Sequence, residues 1–179
     1  FAAPHALPPL MEAAKRGHFE CVLLLLDKGA NHRAQDGKGD TALALASWKG
    51  HAPVVAALCA GGADVDYADQ DGWTALMGAA SSGNLDTVNV LIKAGAEVNL
   101  QNKHRLTAVK LAATEGNRHA VVALLEAGAV LSGQKRARDK RGKFVKVGLA
   151  GNRPGAMVRS RLQTPSTIAQ GYSPMDPKN

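Results

Sequence analysis

The sequence repeats itself with a period of 33 residues. Gly-Ala pairs recur at this spacing, at Gly29, Gly62, Gly95 and Gly128. The same step of 33 residues relates three further series: Gly17, Gly50, Gly83 and Gly116; Ala13, Ala46, Ala79 and Ala112; and Thr41, Thr74 and Thr107. A fixed period of this length indicates a repeat architecture, in which each unit buries its apolar face against copies of itself.

The clearest unit spans residues 69–101, "DQDGWTALMGAASSGNLDTVNVLIKAGAEVNLQ". "DQDG" is typical of a turn, because Asp favours the first position and Gly tolerates positive φ. Thr74 lies where a helix needs an N-cap, and Gly83 follows the apolar run "ALMGAAS" as a helix stop. A second helix is predicted over "LDTVNVLIKA", ending at Gly95. Helices this short are marginal in isolation, so the units must stack.

These motifs resemble the ankyrin-repeat family. The matching pieces are "GDTALALAS", "GWTALMGAA", "GHFECVLLLLDKGAN", "GGADVDY" and "AGAEVN". The resemblance implies an all-α repeat solenoid of stacked helix-turn-helix units with short β-hairpin fingers in residues 1–134, in units of about 3–35, 36–68, 69–101 and 102–134. Residues 135–179 are expected to form an irregular, extended basic tail.

The chain departs from the family pattern at several positions. Ala42, Ala75 and Ala108 follow the capping Thr where the family has Pro, which predicts slightly weaker helix starts. Pro8 replaces the capping Thr in the first unit. Arg105 replaces the turn glycine of the fourth unit, and we expect that finger to be displaced or remodelled.

Basic charge is concentrated at the C-terminal end. Up to Leu131 the chain has 11 Lys and Arg against 13 Asp and Glu, whereas from Ser132 it has 11 against 2, within a net charge of +7. The predicted tail anchor is Lys135, Arg136, Arg138, Lys140, Arg141, Lys143, Phe144 and Lys146. Such a cluster would bind an acidic protein, RNA phosphates or anionic lipid headgroups.

No pattern in the sequence indicates catalysis, a cofactor, a metal site or a small-molecule substrate. Asp64, Asp66, Asp69 and Asp71 resemble a calcium loop but lack its terminal Glu. His18 and His51 occupy the family's Gly-His turn, which implies a structural role. No apolar run is long enough for a transmembrane helix. Cys21 and Cys59 are predicted to be small buried thiols, which favours an intracellular, reducing compartment.

A partner-binding surface follows from the resemblance, because ankyrin domains bind proteins with their finger tips and the exposed side of each first helix. Both tryptophans of the chain fall on that surface and are expected to face solvent. Tryptophan is enriched among residues that dominate interface energies. The predicted partner-binding residues are Trp48, Lys49, Tyr67, Asp71, Trp73, Lys103, His104 and Leu106.

The sequence therefore predicts a non-catalytic protein-interaction module, expected to be a scaffold subunit of a larger assembly. Leu23 and Val122 place apolar side chains where this family often has charged ones, so we expect that either the tail folds back over the last repeat or partner proteins cover one or both ends. Two alternatives stay open: an RNA-associated, ribosome-bound protein that uses the tail, or a peripheral subunit of a membrane complex such as a photosystem or respiratory assembly. The opening "FAAP" resembles a plastid-leader cleavage motif, so import into a plastid or mitochondrion is also expected.

Overall fold

The chain folds into paired α-helices. The computed structural model describes residues 7–131 and the strand positions 137–138 and 144–145. Within that part the helices are α1 (Pro9–Arg16), α2 (Phe19–Asp27), α3 (Ala42–Lys49), α4 (Ala52–Ala60), α5 (Ala75–Ser81), α6 (Leu85–Lys93), α7 (Ala108–Thr114) and α8 (Arg118–Glu126). Each 33-residue unit supplies one helix pair, here called the first to fourth repeat. The predicted all-α repeat solenoid is confirmed.

The helix starts follow from their capping residues. Thr41, Thr74 and Thr107 each accept a hydrogen bond through Oγ1 from the backbone N–H three residues on, at 3.3, 3.3 and 3.4 Å. Such a bond satisfies one of the N–H groups that lack a partner in the first helical turn. Helix α1 begins after Pro8 without a side-chain cap, as predicted. Pro9 at its first position lacks an N–H and is pre-organised for the helix.

The helices pack in two layers. Helices α1, α3, α5 and α7 stack on one another as the inner layer, and α2, α4, α6 and α8 form the outer layer. Ala46, Ala79 and Ala112 are fully buried and lie one period apart in the inner layer. Small side chains let neighbouring helix backbones approach closely, and the branched residues of the outer layer fill the remaining space. One continuous apolar core runs through all four repeats.

Side chains at the turn between the two helices tie each repeat to the one before it. His51 Nε2 lies 3.1 Å from the carbonyl oxygen of Lys15, and Asn84 Nδ2 donates to Trp48 O at 3.1 Å. Asn117 Nδ2 donates to Ala80 O and Ser81 O at 2.9 and 2.8 Å. These carbonyls lie at the C-terminal ends of inner helices, where they lack helical partners. The predicted structural role of His51 is confirmed.

Three fingers, residues 36–40, 69–73 and 102–106, share one hydrogen-bonding pattern. In each, Oδ1 of the first residue accepts from two backbone N–H groups, as Asn102 does from His104 and Leu106 at 3.0 Å each. Arg105 keeps this turn by taking a left-handed φ of 57°. The prediction that the fourth finger is displaced or remodelled is wrong, because the Asn102 side chain holds the turn and the strain falls on the Arg105 backbone instead.

Beyond the repeats the structure describes one short strand pair, in which β1 (Ala137–Arg138) runs antiparallel to β2 (Phe144–Val145). Of the predicted tail anchor, only the backbone of Arg138 and Phe144 belongs to this pair. The other members lie outside the described residues: Lys135, Arg136, Lys140, Arg141, Lys143 and Lys146. In the described part of the chain, every helix is too short or too polar to cross a bilayer.

Candidate functional site

A groove lies between the second and third repeats, at the junction of their fingers and inner helices. It has a volume of about 340 Å³. We call it the Trp groove and define it by six residues, Asp40, Leu45, Trp48, Asp69, Trp73 and Gly78. The groove is lined by residues of the fingers and by residues of α3 and α5. The site therefore exists only because the two repeats stack in register.

The two tryptophans have different environments. Trp48, on the last turn of α3, is 56% exposed, and the Lys49 ammonium lies 4.6 Å from the centre of its ring. Trp73 is half-buried and packs against the core. The expectation that both face solvent is correct for Trp48 and wrong for Trp73. Trp73 lies at the base of its finger, where its backbone N–H donates to Oδ1 of Asp69 and its carbonyl oxygen accepts from the N–H of Asp69.

The space beside Trp48 results from a missing side chain. Gly78 lies on α5, and the residues one period before and after it are Leu45 and Leu111. A Cβ atom on Gly78 would lie 3.6 Å from Cβ of Trp48, an ordinary contact distance. A leucine here would extend along Trp48 and fill part of the Trp groove. The glycine therefore leaves an opening where the second and fourth repeats carry leucine and the first repeat carries Glu12.

The Trp groove has an acidic wall. Oδ1 of Asp36 and Oδ1 of Asp69 each accept backbone hydrogen bonds, which anchor those carboxylates. Within the described residues the Asp40 carboxylate has no hydrogen-bond or salt-bridge partner. Partial burial, then the carboxylates of Asp36 and Asp69, raise the pKa of Asp40 above its usual value, and Lys38 opposes that rise. The carboxylates of this wall repel one another, and a bound cation would reduce that repulsion.

The structure brings together five of the predicted partner-binding residues. Trp48, Asp71 and Trp73 line the Trp groove, and Lys49 lies on Trp48. Lys103 joins them from the fourth repeat, because its Nζ lies 3.8 Å from Oδ1 of Asp71 and its N–H donates to Asp71 O at 3.0 Å.

The remaining three predicted residues do not line the Trp groove. Tyr67 is half-buried on the loop that precedes the third finger. His104 is exposed on the fourth finger, and Leu106 packs against the core at the base of that finger.

The predicted partner-binding residues do not include four residues of the Trp groove, Asp40, Leu45, Asp69 and Gly78. The signal for Gly78 was present, since the equivalent positions of the repeats before and after it hold Leu45 and Leu111. Asp69 is part of the turn motif, and its position in the groove depends on how the third finger stands against the second. Asp40 and Leu45 become groove residues only because the neighbouring repeat leaves them partly exposed.

The aspartates that resemble a calcium loop have structural partners. Oδ1 of Asp64 accepts from the N–H of Asp66 at 3.1 Å, and Oδ1 of Asp66 accepts from the N–H of Glu97 at 2.9 Å. Asp69 closes its finger, and Asp71 pairs with Lys103. Over the residues that the structure describes, no cluster of three or more metal-ligating side chains occurs.

The two cysteines differ from the prediction of buried thiols. Cys21 is exposed, because no described repeat precedes α2 and covers that part of the helix. Cys59 is half-buried, and burial raises the pKa of its thiol. Burial therefore favours the less nucleophilic thiol form at Cys59. The prediction is wrong for Cys21 and holds in part for Cys59.

Comparison with known proteins agrees with this architecture. A family model described as ankyrin repeats (3 copies) matches residues 10–102 and 54–139. The two matches overlap and together span residues 10–139, which is more than half of the chain. A search of curated proteins gives no match. The family match, the 33-residue period and the paired helices agree, and the chain belongs to the ankyrin-repeat family.

Proposed function

We propose that this protein is a non-catalytic subunit of a larger assembly, and that the Trp groove holds a partner protein. Ankyrin repeats are protein-interaction modules, which supports the general role. The observation that carries the specific proposal is Trp48, which is 56% exposed beside the space left by Gly78. A large aromatic side chain next to an open apolar slot is the usual form of an energetically dominant interface residue.

Trp48 is also partly ordered before any partner arrives. The Lys49 ammonium packs on one side of its ring at 4.6 Å, and its backbone carbonyl accepts from Asn84. A side chain already held in place loses less conformational entropy on binding. The free energy gained by burying Trp48 is therefore offset less by lost entropy than it would be for a freely rotating side chain.

The ends of the stack support assembly. Leu24 is 60% exposed, whereas Ala57 and Val90, one and two periods later, are half-buried. Val122 and Leu125 on α8 are 53% and 37% exposed. Apolar end faces of this kind are typical of repeats that contact another polypeptide, because terminal repeats normally have polar outer faces.

The test is affinity capture of partners by the full chain, compared with three variants. Trp48→Ala removes the proposed anchor. Gly78→Leu fills the slot, and it should not unfold α5, because leucine has a higher helix propensity than glycine and is already present at the equivalent position of the second and fourth repeats. Lys93→Ala removes an exposed side chain at the end of the outer helix α6, away from the groove, and is the control.

We expect Trp48→Ala and Gly78→Leu to weaken capture of the same proteins by at least about tenfold, which corresponds to about 1.4 kcal/mol. Lys93→Ala should leave those proteins bound. If both groove variants capture partners normally, the Trp groove is not the binding site. The predicted contacts of the basic tail with RNA or anionic lipid would then be the next to test, through their steep dependence on salt.

A further inference from the structure

We infer that the Trp groove selects a cationic peptide segment, one that carries a bulky aliphatic or aromatic side chain beside an arginine or lysine. This inference rests on the proposed function and adds the chemistry of the partner. It follows from two features of the groove, an apolar slot and an acidic wall, which lie next to each other.

The slot specifies the apolar side chain. The slot is lined by Gly78, Trp48 and Leu45, and Cβ of Trp48 would lie 3.6 Å from a Cβ atom on Gly78. The total volume of about 340 Å³ is at the small end for ligand sites. Such a slot fits one or two peptide side chains. The space that a leucine at position 78 would fill indicates the shape of the side chain that the slot accepts.

The acidic wall specifies the cation. Asp40 borders the slot, has no partner of its own among the described residues, and lies near Asp36 and Asp69. Lys38 is the cation that opposes their repulsion. A lysine or arginine from a partner would reduce this repulsion, and an arginine would also stack on Trp48 through its planar guanidinium group.

Three lysines lie around the groove, and they leave this wall acidic. Lys38 lines the groove, but this single cation faces the three carboxylates of Asp36, Asp40 and Asp69. Lys103 is paired with Asp71 at 3.8 Å, and Lys49 lies over the Trp48 ring. Both therefore face other partners than Asp40. A ligand that carries phosphates or carboxylates would meet Asp40 and Asp69 directly, so the groove favours a cationic peptide over RNA or an acidic protein.

The chain carries its own reporter for this interaction. Its only tryptophans are the two that line the Trp groove, so intrinsic tryptophan fluorescence reports groove occupancy directly. We would titrate the full chain with short Gly/Ser peptides that lack aromatic residues. One peptide contains Arg-Leu-Arg at its centre, and the two controls contain Glu-Leu-Glu and Arg-Ser-Arg.

We expect a saturable change of emission with the Arg-Leu-Arg peptide, and at least about tenfold weaker binding of each control. Binding should weaken as salt is raised. Asp40→Asn should weaken binding of the Arg-Leu-Arg peptide about three- to tenfold, because it removes the charge of the side chain and keeps its shape. Asp27→Asn, an equal change of charge on the outer helix α2, should leave binding unchanged. Gly78→Leu should abolish the response.

Four results would overturn the inference: equal or tighter binding of the Glu-Leu-Glu peptide, insensitivity to Asp40→Asn, binding that survives Gly78→Leu, or no response to any peptide. If binding of the Arg-Leu-Arg peptide instead emerges only when Lys140, Arg141 and Lys143 are all replaced by Gln, the cationic preference stands and the chain's own basic segment is the occupant. Capture of partners that still depends on Trp48 would leave the proposed function standing while the cationic preference fails. If capture is also independent of Trp48 and Gly78, both fail.

Discussion

The glycine that ends the first helix of each repeat has different surroundings at the junctions between repeats and at the end of the fourth repeat. Gly17, Gly50, Gly83 and Gly116 all have left-handed φ values of 74° to 82°. A Cβ on Gly50 or Gly83 would lie 2.6 or 2.7 Å from the asparagine of the next repeat, and one on Gly17 would lie 2.6 Å from His51. A Cβ on Gly116 would meet nothing within 4 Å. The left-handed backbone requires glycine at all four turns. Stacking adds a second requirement for glycine only where a side chain of the next repeat packs against the turn.

The largest expected effect separates these two requirements. Gly83→Ala adds a left-handed alanine, which costs about 1–2 kcal/mol, and also displaces Asn117 from the Ala80 and Ser81 carbonyls. Loss of those bonds adds about 1–3 kcal/mol. Gly116→Ala should have only the backbone term of about 1–2 kcal/mol. Urea unfolding of the two variants measures the difference directly.

The double variant Gly83→Ala with Asn117→Ser sharpens that measurement. If the clash with Asn117 is responsible, the two changes should be non-additive, because the shorter side chain leaves room for the new methyl group. Equal losses for Gly83→Ala and Gly116→Ala would show that the backbone alone selects glycine and that the interlock contributes little.

The finger turns provide a second test of the same comparison. Gly72 has φ 81°, and a Cβ there would lie 3.0 Å from Cα of Asn102 in the next finger, whereas Arg105 has φ 57° in the last finger of the described repeats. We expect Gly72→Ala to destabilise by about 2–3 kcal/mol, because strain and backbone crowding add. Arg105→Gly should stabilise by less than about 1 kcal/mol, because relief of strain is offset by greater freedom of the unfolded chain.

Thermal or urea unfolding would measure both finger variants under the same conditions. The comparison fails if Arg105→Gly lowers the free energy of unfolding as much as Gly72→Ala does. That outcome would mean that the Arg105 side chain makes a contact on the fourth finger that outweighs its backbone strain.

The smallest expected effect concerns charge at the junction of the second and third repeats. The pKa of Asp40 is raised by burial and by Asp36 and Asp69, so its ionised form disfavours the folded state. Asp40→Asn should therefore stabilise the fold at pH 7, by less than about 1 kcal/mol, because the carboxyl is partly exposed and solvent screens it. The gain should shrink as the pH falls through the raised pKa of Asp40, since the folded wild type then takes up the proton.

Melting temperatures of the wild type and Asp40→Asn from pH 3 to pH 8 would follow this change. Asp86→Asn, an acid in the first turn of α6, is a control without that pattern. A gain for Asp40→Asn that persists at pH 3 would point to a cause other than the repulsion among these carboxylates.

Much of the fold was predictable because local signals recur at a constant interval. The threonine caps, the glycine stops and the period of 33 residues predicted the helix pairs. The prediction for the fourth finger was wrong because it considered Arg105 alone, whereas the turn is held by the Asn102 side chain. The prediction for Trp73 was wrong because its exposure depends on the distance between neighbouring fingers.

The order of the helices, their caps and the column of small inner residues are properties of the amino-acid sequence, because each depends on residues within one unit or on its exact repetition. The Trp groove is a property of the packed repeats. Trp48 and Gly78 belong to different units, and their contact arises when α3 and α5 stack. Local interactions are encoded within a few residues, whereas a surface between repeats depends on which side chains long-range packing leaves exposed.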